Sequence, residues 1–233
     1  MRSGGSAGPE TRPSVATRAL EFVQDGDVVG LGTGRAATAF VHALGAAVKG
    51  GLRVRGVPTS QVTADLATQL GILLARLDEV GQIDVTFDGA DEVDPHLDLI
   101  KGYGGAMVRE KIVAASSKRL IILVGAGKLV PIVGSRGILP VEVVPFGLPL
   151  CQRRLIELGC RPIVRLVEGR PFVTDNGNQI LDCGISPIPD PAALEQSILS
   201  IPGVVGTGLF IGMADTVLVQ DDEAVEVRHR ADR

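Results

Sequence analysis

The residues best suited to chemistry lie between positions 88 and 111. The segment DGADEVD at 88–94 places four carboxylates within seven residues. Lys101 follows at the end of a short apolar run, and a charged triplet, 109–111, follows on a predicted helix. A carboxylate base can remove the proton beside a carbonyl, and a lysine cation can stabilise the enediolate that forms. Further carboxylates can move hydroxyl protons, so this set of side chains is suited to isomerisation of a sugar.

The acidic segment has two simpler interpretations, a cation-binding loop and a solvent-exposed loop. A calcium loop counted from Asp84 has Pro95 at its twelfth position, and one counted from Asp88 has Leu99 there, where a bidentate glutamate is required. The three histidines form no helical HxxxH pair, so no metal site is predicted. An ordinary exposed loop remains the simple alternative, because most charged side chains face water.

A second candidate site is the glycine-rich loop VVGLGTGRAA at 28–37. Backbone N–H groups where such a loop enters a helix can bind an anion, and glycines let a phosphate approach the main chain. The spacing also fits the relaxed dinucleotide pattern G-x-G-x-x-A. No Asp or Glu occurs from position 28 to 64 to bind a ribose hydroxyl, although Arg53 or Arg55 could serve an NADP-like cofactor. A tight turn without a ligand remains the structural alternative.

Apolar runs and helical periodicities alternate in the first half of the chain. Strands are predicted at Val28–Leu31, Leu52–Val57, Ile83–Phe87 and Leu120–Val124. Helices are predicted at Ala36–Val48, Gln61–Leu70 and Met107–Ala115. This alternation indicates a parallel sheet with helices on its faces. Because ligands bind outside the carboxyl ends of such strands, the glycine loop, Thr59-Ser60, the DGAD segment and Lys101 are predicted to share one edge.

The pattern changes after about Pro131. Strands are predicted there at Leu139–Val144, Ile163–Leu166, Gln179–Cys183 and Val204–Phe210, and helices at Leu150–Leu158 and Pro191–Ser200. The order β-α-β-β-α-β is typical of a ferredoxin-like unit. We therefore predict an α/β fold, with a Rossmann-like parallel-sheet domain at 14–134 and 207–233. A smaller ferredoxin-like α+β domain at 135–206 is inserted before the C-terminal segment, and residues 1–13 form a flexible leader.

Composition narrows the class of protein. The chain has 233 residues, of which 45% are hydrophobic and 21% charged, as expected for a globular protein. A net charge of −4 argues against a nucleic-acid partner bound mainly through phosphates. No apolar run approaches the roughly 20 residues of a membrane span. The three cysteines form no CxxC pair and are predicted to be buried thiols of a cytoplasmic protein.

Several longer segments together resemble ribose-5-phosphate isomerase of the A type. They are VVGLGTG at 28–34, GVPTSQVTADLA at 56–67, DVTFDGADEVD at 84–94, IKGYGGAMVREKI at 100–112, LPVEVVP at 139–145, FVTDNGNQILD at 172–182 and IPGVVGTGLF at 201–210. They keep the order of the family and cover most of the chain. DGADE followed by K-G-x-G-G-A and R-E-K is far more specific than the glycine loop alone.

The resemblance implies an enzyme that interconverts ribose 5-phosphate and ribulose 5-phosphate in the non-oxidative pentose phosphate pathway, with no metal and no cofactor. It implies that Glu110 is the base that moves the proton between the first two sugar carbons and that Lys101 lies beside the developing oxyanion. Asp88 and Asp91 would assist ring opening and hydroxyl proton transfer. The predicted substrate-binding residues are Gly32, Thr33, Gly34, Arg35, Thr59, Ser60, Gly102, Gly104 and Lys128. A cytoplasmic homo-oligomer, dimer or tetramer, is expected.

Two positions depart from the family pattern. Arg35-Ala36 stand where a Ser-Thr pair usually holds the phosphate, and a guanidinium can replace those hydroxyls. Tyr103 stands where a glycine is usual. Two alternatives from other classes are a non-catalytic sugar-phosphate sensor, which would need the glycine loop but not Glu110 or Lys101, and an amino-sugar phosphate isomerase–deaminase, against which the ordered matches argue.

Overall fold

The computed structural model describes residues 14–222 and 224–231, so the leader predicted at 1–13 lies outside the described residues. The helices are α1 Val15–Ala19, α2 Arg35–Lys49, α3 Gln61–Gln69, α4 Met107–Ala115, α5 Leu148–Glu157 and α6 Pro191–Leu199. The strands of the first half are β1 Val28–Leu31, β2 Arg55–Pro58, β3 Leu73–Leu74, β4 Val85–Asp88, β5 Glu92–Val93, β6 Leu99–Ile100 and β7 Leu120–Gly125. The later strands are β8 Ile138–Val143, β9 Arg161–Val164, β10 Leu166–Val167, β11 Arg170–Pro171, β12 Gln179–Gly184, β13 Val204–Thr207, β14 Leu209–Phe210, β15 Thr216–Gln220 and β16 Val225–His229.

The larger sheet has seven strands in the order β16-β15-β7-β4-β1-β2-β3. All neighbours pair in parallel except β15 and β16, which are antiparallel. The interior strand β1 is buried throughout because α2 covers it with an apolar stripe that includes Phe40 and Leu44. The Phe40 ring stacks on Phe87 of β4 at a centroid distance of 4.1 Å. The chain runs from β1 outward to β3 and then returns to β4, which opens a crevice between β1 and β4 at their carboxyl ends.

The smaller sheet is antiparallel, with the strand order β13-β8-β12-β9. Helices α5 and α6 supply Leu155 and Ile198 to the apolar core on one of its faces. The element sequence and strand order are those of a ferredoxin-like unit. The α/β fold class predicted from the sequence is therefore confirmed. We propose that this sheet with its two helices forms the smaller domain; its last strand, β13, ends at Thr207, one residue beyond the predicted 135–206 bounds.

A third, three-stranded sheet, β14-β6-β5, joins the two larger ones and was not predicted. The predicted strand 204–210 is divided at Gly208 into β13, which pairs with β8, and β14, which pairs with β6. Gly208 lies against the main chain of Lys101: it accepts the Lys101 N–H at 2.9 Å, and a Cβ at this position would overlap the Lys101 carbonyl oxygen. A glycine is therefore required where the chain passes from one sheet to the other.

Two further sequence predictions can be compared with the described residues. Cys151, Cys160 and Cys183 are buried free thiols. In the part of the chain that the structure describes, no helix combines the length and the apolar character needed to cross a bilayer.

Candidate active site

A cleft of ≈570 Å³ lies at the carboxyl ends of β1, β4 and β7. Its polar walls come from the glycine loop, from the acidic segment after β4 and from the loops around Lys101 and Lys128. The lining residues are Thr33, Gly34, Arg35, Ala36, Gly89, Ala90, Asp91, Lys101, Gly102, Gly104, Glu110, Leu123, Val124, Gly125, Gly127, Lys128 and Arg136.

At the base of the cleft, one lysine is placed between two carboxylates. Asp88 is the last residue of β4, Lys101 follows β6, and Glu110 lies in the first turns of α4. The Lys101 Nζ is 3.0 Å from Asp88 Oδ2 and 3.1 Å from Glu110 Oε2, and it donates to the carbonyl oxygen of Gly89 at 2.5 Å. All three side chains are at most 6% exposed. The cluster is therefore a desolvated group of two acids and one base that opens to the cleft through Lys101 and Glu110.

Burial and the mutual proximity of the carboxylates set the protonation of this cluster. Burial and the charge of Asp88 raise the pKa of Glu110 to about 8, with Lys101 opposing them. Burial also raises the pKa of Asp88. Burial alone would lower the pKa of Lys101, but Asp88 and Glu110 together raise it above its ordinary value. Lys101 is therefore a permanent cation, whereas Glu110 exchanges its proton close to neutral pH.

Glu110 Oε2 is held by an ion pair rather than by a hydrogen bond. Glu110 Oε2 is buried and has no hydrogen-bond partner among the described residues. Its 3.1 Å contact with Lys101 is an ion pair whose angles do not make a hydrogen bond. A buried carboxylate oxygen without a donor is costly unless it has a chemical role. Glu110 thus combines a raised pKa with a place at the wall of the cleft, as a general base requires.

The four carboxylates of DGADEVD divide into two kinds. Asp91 lines the cleft, where its Oδ1 lies 3.4 Å from Lys128 Nζ and its Oδ2 accepts the backbone N–H of Tyr103 at 3.0 Å. Glu92 is fully buried and accepts the backbone N–H groups of residues 134 and 136. Asp94 caps the tight turn that follows it. The segment is therefore neither a cation cage nor a solvent-exposed loop. Glu92 and Asp94 accept hydrogen bonds from backbone N–H groups, whereas Asp88 and Asp91 lie against Lys101 and Lys128.

The glycine loop brings the start of α2 to the cleft. Gly32 packs so closely on Asp88 that a Cβ would overlap the carboxylate. Gly34 is the N-cap residue of α2 with φ +103°, a conformation that favours glycine, and no side chain caps the helix. The first N–H groups of this fifteen-residue helix are consequently available to an anion.

The hydroxyl groups of Thr59, Ser60 and Thr63, which follow β2, hydrogen-bond to the glycine loop and to β1. Thr33 Oγ1 donates to Ser60 Oγ at 2.8 Å, Ser60 donates to Thr63 Oγ1 at 3.0 Å, and Thr63 donates to the carbonyl oxygen of Gly32 at 3.0 Å. Ser60 is also the N-cap residue of α3. Thr59 donates to a main-chain carbonyl of β1 at 3.0 Å. These protons are all directed into the protein, so the loop offers backbone N–H groups rather than hydroxyl protons to the cleft.

The sequence-predicted site residues divide by position. Those that line the cleft are Thr33, Gly34, Arg35, Asp91, Lys101, Gly102, Gly104, Glu110 and Lys128. Those that lie behind its wall are Gly32, Thr59, Ser60 and Asp88, all buried. Arg136 also lines the cleft and was not predicted. Its only sequence signal is a cation three residues before the LPVEVVP segment, and its place depends on the long-range bond from its backbone N–H to Glu92.

The geometry does not support an NADP-like cofactor bound by Arg53 or Arg55. Arg53 pairs with Asp25, and Arg55 begins β2, so both lie at the sheet edge opposite the glycine loop. The described residues hold no group of three or more His, Cys, Asp or Glu arranged to bind a metal. A second groove, ≈970 Å³, lies along α4, but its arginines Arg76 and Arg109 are engaged by Asp78 and Asp175. The cleft over Lys101 is therefore the candidate active site.

Comparisons with known proteins agree on one family. The family model described as "Ribose 5-phosphate isomerase A (phosphoriboisomerase A)" matches residues 55–224. Ribose-5-phosphate isomerase A of Roseiflexus sp. (strain RS-1) is 52% identical over 221 residues, 94% of this chain and 95% of that protein. The protein of the same name from Gloeobacter violaceus is 53% identical over 217 residues, 93% of this chain and 94% of its own.

Solved structures give the same result. Ribose 5-phosphate isomerase A from Methanocaldococcus jannaschii superposes with a TM-score of 0.89 at 41% identity, covering 93% of this chain and 96% of its own. A D-ribose-5-phosphate isomerase in complex with phospho-erythronic acid superposes with a TM-score of 0.90 at 39% identity, with the same coverage. The resemblance drawn from the sequence motifs is thereby confirmed. The chain belongs to the ribose-5-phosphate isomerase A family, a family of isomerases.

Proposed function

We propose that this protein interconverts D-ribose 5-phosphate and D-ribulose 5-phosphate through an enediolate, with Glu110 as the base and without a metal. The observation that carries the proposal is the Glu110 carboxylate, which lies at the cleft wall with its Oε2 3.1 Å from the Lys101 ammonium. A reaction that removes a carbon-bound proton next to a carbonyl needs this pairing of a base with a fixed cation.

The steps follow from the positions of the groups. The Glu110 carboxylate takes the proton from C2 of the open-chain aldose, and the electron pair moves through the C1–C2 bond onto the carbonyl oxygen. The Lys101 ammonium stabilises the enediolate oxygen, because it already lies in a water-poor environment. Glu110 then returns the proton to C1, while the C2 hydroxyl proton passes to the C1 oxygen to leave the ketone. Asp91, which faces the cleft beside Lys128, is suited to that hydroxyl proton transfer.

Asp88 contributes through Lys101 in this proposal. It does not line the cleft, and it holds the ammonium at 3.0 Å. Its charge also raises the pKa of Glu110. A base with a pKa near the working pH combines a useful unprotonated fraction with the strength to remove a carbon-bound proton. The reaction would serve the non-oxidative pentose phosphate pathway.

In this proposal the phosphate group of the substrate binds at the start of α2. The helix has no side-chain cap, and Arg35 is exposed at its first position within the cleft. Helix N-termini favour phosphate through their N–H groups and their dipole. The relative solved with phospho-erythronic acid, a ligand that carries a phosphate, is consistent with a phosphorylated substrate in this cleft.

The reaction is tested by following ribulose 5-phosphate formation from ribose 5-phosphate with protein purified and assayed in EDTA. We expect turnover that EDTA does not reduce. Binding of ribose 5-phosphate without turnover would favour the sensor alternative instead. Activity that EDTA removes and a divalent metal restores would contradict the metal-independent mechanism.

The rate should depend on pH in a direction set by Glu110. Glu110 must be unprotonated in the free enzyme to act as the base, and its pKa is raised to about 8. We therefore expect kcat/KM to rise about tenfold per pH unit below that pKa and to level off above it. Initial rates from about pH 6 to about pH 9 measure this rising part of the kcat/KM profile, its acid limb. A profile that is flat over the same range would mean that the base has an ordinary carboxyl pKa, and it would contradict the raised pKa of Glu110.

Arg35 should act on substrate affinity rather than on the chemical step. A charge-assisted contact to phosphate contributes about 1.5–3 kcal/mol, so Arg35→Ala should raise KM about tenfold or more and leave kcat within about twofold. The matched control is Arg55→Ala, which removes the same charge at the opposite edge of the sheet. Equal kinetics for the two variants would mean that Arg35 does not contact the phosphate.

The cytoplasmic location and the homo-oligomeric state implied by the family remain predictions.

A further inference from the structure

Two cations flank Glu110 on α4. Arg109 binds the turn that leads into β12 of the smaller sheet, and Lys111 binds helix α6 and strand β14. Successive residues of an α-helix point about 100° apart, so Arg109 and Lys111 project to either side of the Glu110 side chain. Neither residue lies in the proton-transfer cluster. Helix α4 begins at Met107, and its N-cap residue Ala106 supplies no side-chain cap, so no capping side chain fixes its first turn.

On one side, Arg109 binds the turn between β11 and β12. Its Nε donates to Asn176 Oδ1 at 2.8 Å, and its Nη2 donates to the carbonyl oxygen of Asp175 at 2.7 Å. Its Nη1 also lies 3.6 Å from the Asp175 carboxylate. That carboxylate accepts the backbone N–H of Gln61 at 2.8 Å, which ties the same turn to the start of α3.

The turn is held in place by a buried carboxylate of the smaller sheet. Glu142 of β8 is fully buried, and its Oε1 accepts hydrogen bonds from Thr174 at 3.0 Å, Asn176 at 3.1 Å and Asn178 at 2.8 Å. Its Oε2 has no hydrogen-bond partner among the described residues. A half-satisfied buried carboxylate is an expensive way to hold a turn. Asn176 therefore links Arg109 to a rigid point within the sheet.

On the other side, Lys111 binds α6 and the β14 strand. Its Nζ donates to Glu195 Oε1 at 2.5 Å and to the carbonyl oxygen of Leu209 at 2.6 Å. The Nζ also lies 5.0 Å from the centroid of the Phe210 ring, and the Lys101 Nζ lies 5.5 Å from the same ring. Lys111 thus ties α4 to the strand whose aromatic ring supports the catalytic ammonium.

We propose that Arg109 and Lys111 are positioning residues that fix the rotation of α4, so that the smaller domain holds the Glu110 carboxylate against Lys101 and the substrate carbons. The inference rests on the proposed role of Glu110 as the base. A displacement of about 1 Å at a reacting group can cost about 10²-fold in rate. Two contacts on opposite sides of one helix are suited to prevent such a displacement.

The kinetic test uses Arg109→Met, because this side chain is 39% exposed and the variant should fold. We expect kcat to fall about 10- to 100-fold with KM within about threefold. A less confined Glu110 gains water and separates from Asp88, so its acid limb should move to lower pH. The charged groups that face Glu110 are Asp88, Lys101 and Asp91. Arg154→Met on α5, which breaks an exposed ion pair with Glu157, is the matched control and should leave both kcat and the limb unchanged.

A second readout does not depend on activity. The Glu110 carboxyl can be titrated by ¹³C NMR in the wild-type protein and in Arg109→Met, with Glu110→Gln to assign the signal. We expect a midpoint near 8 in the wild type and a downward shift in Arg109→Met. Asn176→Ala should give the same shift, and adding it to Arg109→Met should change little further, because both remove one linkage. Glu195→Gln weakens the Lys111 pair and should lower the midpoint in the same direction.

The outcomes separate this inference from the proposed function. An unchanged Glu110 midpoint and wild-type kcat in Arg109→Met would overturn the positioning role. A lower melting temperature with an unchanged midpoint would also overturn it, by showing a contribution to stability alone. A wild-type protein that converts no ribose 5-phosphate would refute the proposed function, yet the NMR titration would still decide whether Arg109 positions Glu110.

Discussion

Glu110→Gln is expected to lower kcat by at least about 10³-fold, the upper range for loss of a general base. The amide has nearly the same shape as the carboxylate, but it cannot accept a proton from carbon. Its carbonyl oxygen can still face the Lys101 ammonium, which lies 3.1 Å from the carboxylate. The variant should therefore bind ribose 5-phosphate with an affinity close to the wild-type KM and fail only in the chemical step.

The measurement is turnover by ribulose 5-phosphate formation, together with calorimetric binding of ribose 5-phosphate to the inactive variant. Glu157→Gln makes the same chemical change on an exposed carboxylate of α5 and should keep full activity. The melting temperature of Glu110→Gln should change little at about pH 7, because Glu110 with a pKa of about 8 is mainly protonated there and Lys101 keeps its contact with Asp88. Wild-type turnover in Glu110→Gln would transfer the role of base to another carboxylate, with Asp91 the next to test.

Lys101→Met is the second substitution with a large expected effect, a fall in kcat of about 10²- to 10³-fold. Methionine fills similar space without a charge, so the enediolate oxygen loses the cation that stabilises it. The remaining Asp88 and Glu110 carboxylates would then face each other without a cation between them. Since Asp88 raises and Lys101 lowers the pKa of Glu110, the acid limb of kcat/KM should move upward from about 8.

The same substitution should change how stability depends on pH. A carboxyl whose pKa is raised by folding holds a proton that the unfolded chain has lost, so stability falls as pH rises from the unfolded pKa to the folded one. Without Lys101 that range extends to higher pH, and the melting temperature of Lys101→Met should fall further below wild type at about pH 9 than at about pH 6.

Lys118→Met, which removes an exposed lysine paired with Asp84 at 2.7 Å, is the control. An acid limb that stays in place in Lys101→Met would show that Lys101 does not set the protonation of Glu110. Wild-type kcat in Lys101→Met would in turn separate the lysine from the chemical step.

Much of the fold could be predicted because apolar periodicity is local. Strand β1 and helix α4 have the predicted bounds, Val28–Leu31 and Met107–Ala115. The pairing partners of strands are not local. The apolar run at 204–210 gives no sign that its two ends belong to different sheets, and the two-residue strands β5 and β6 are too short to produce a pattern. The predicted strand Leu52–Val57 begins only at Arg55, because Arg53 is engaged with Asp25.

The candidate site was predictable where a rule about parallel sheets applied. Strands β1 and β4 are parallel neighbours, so the glycine loop and Asp88 had to meet at one edge. Lys101 reaches this edge from a separate antiparallel sheet, which the rule does not cover. The side chains of Thr59 and Ser60 point toward the interior rather than toward the cleft, because they hydrogen-bond to β1 and to Thr33. No local sequence pattern encodes these bonds. The catalytic roles assigned to these residues remain predictions.

The crossing at Gly208 limits how the protein can move. Gly208 directly follows the last strand of the smaller sheet, and its carbonyl oxygen accepts the Lys101 N–H at 2.9 Å. A hinge rotation of the four-stranded sheet would pull on the main chain that carries the ammonium and would spread the two carboxylates it separates. A rotation that opens the two sheets would therefore break the charge cluster, and we expect ligand exchange to occur through the mouth of the cleft without such a rotation.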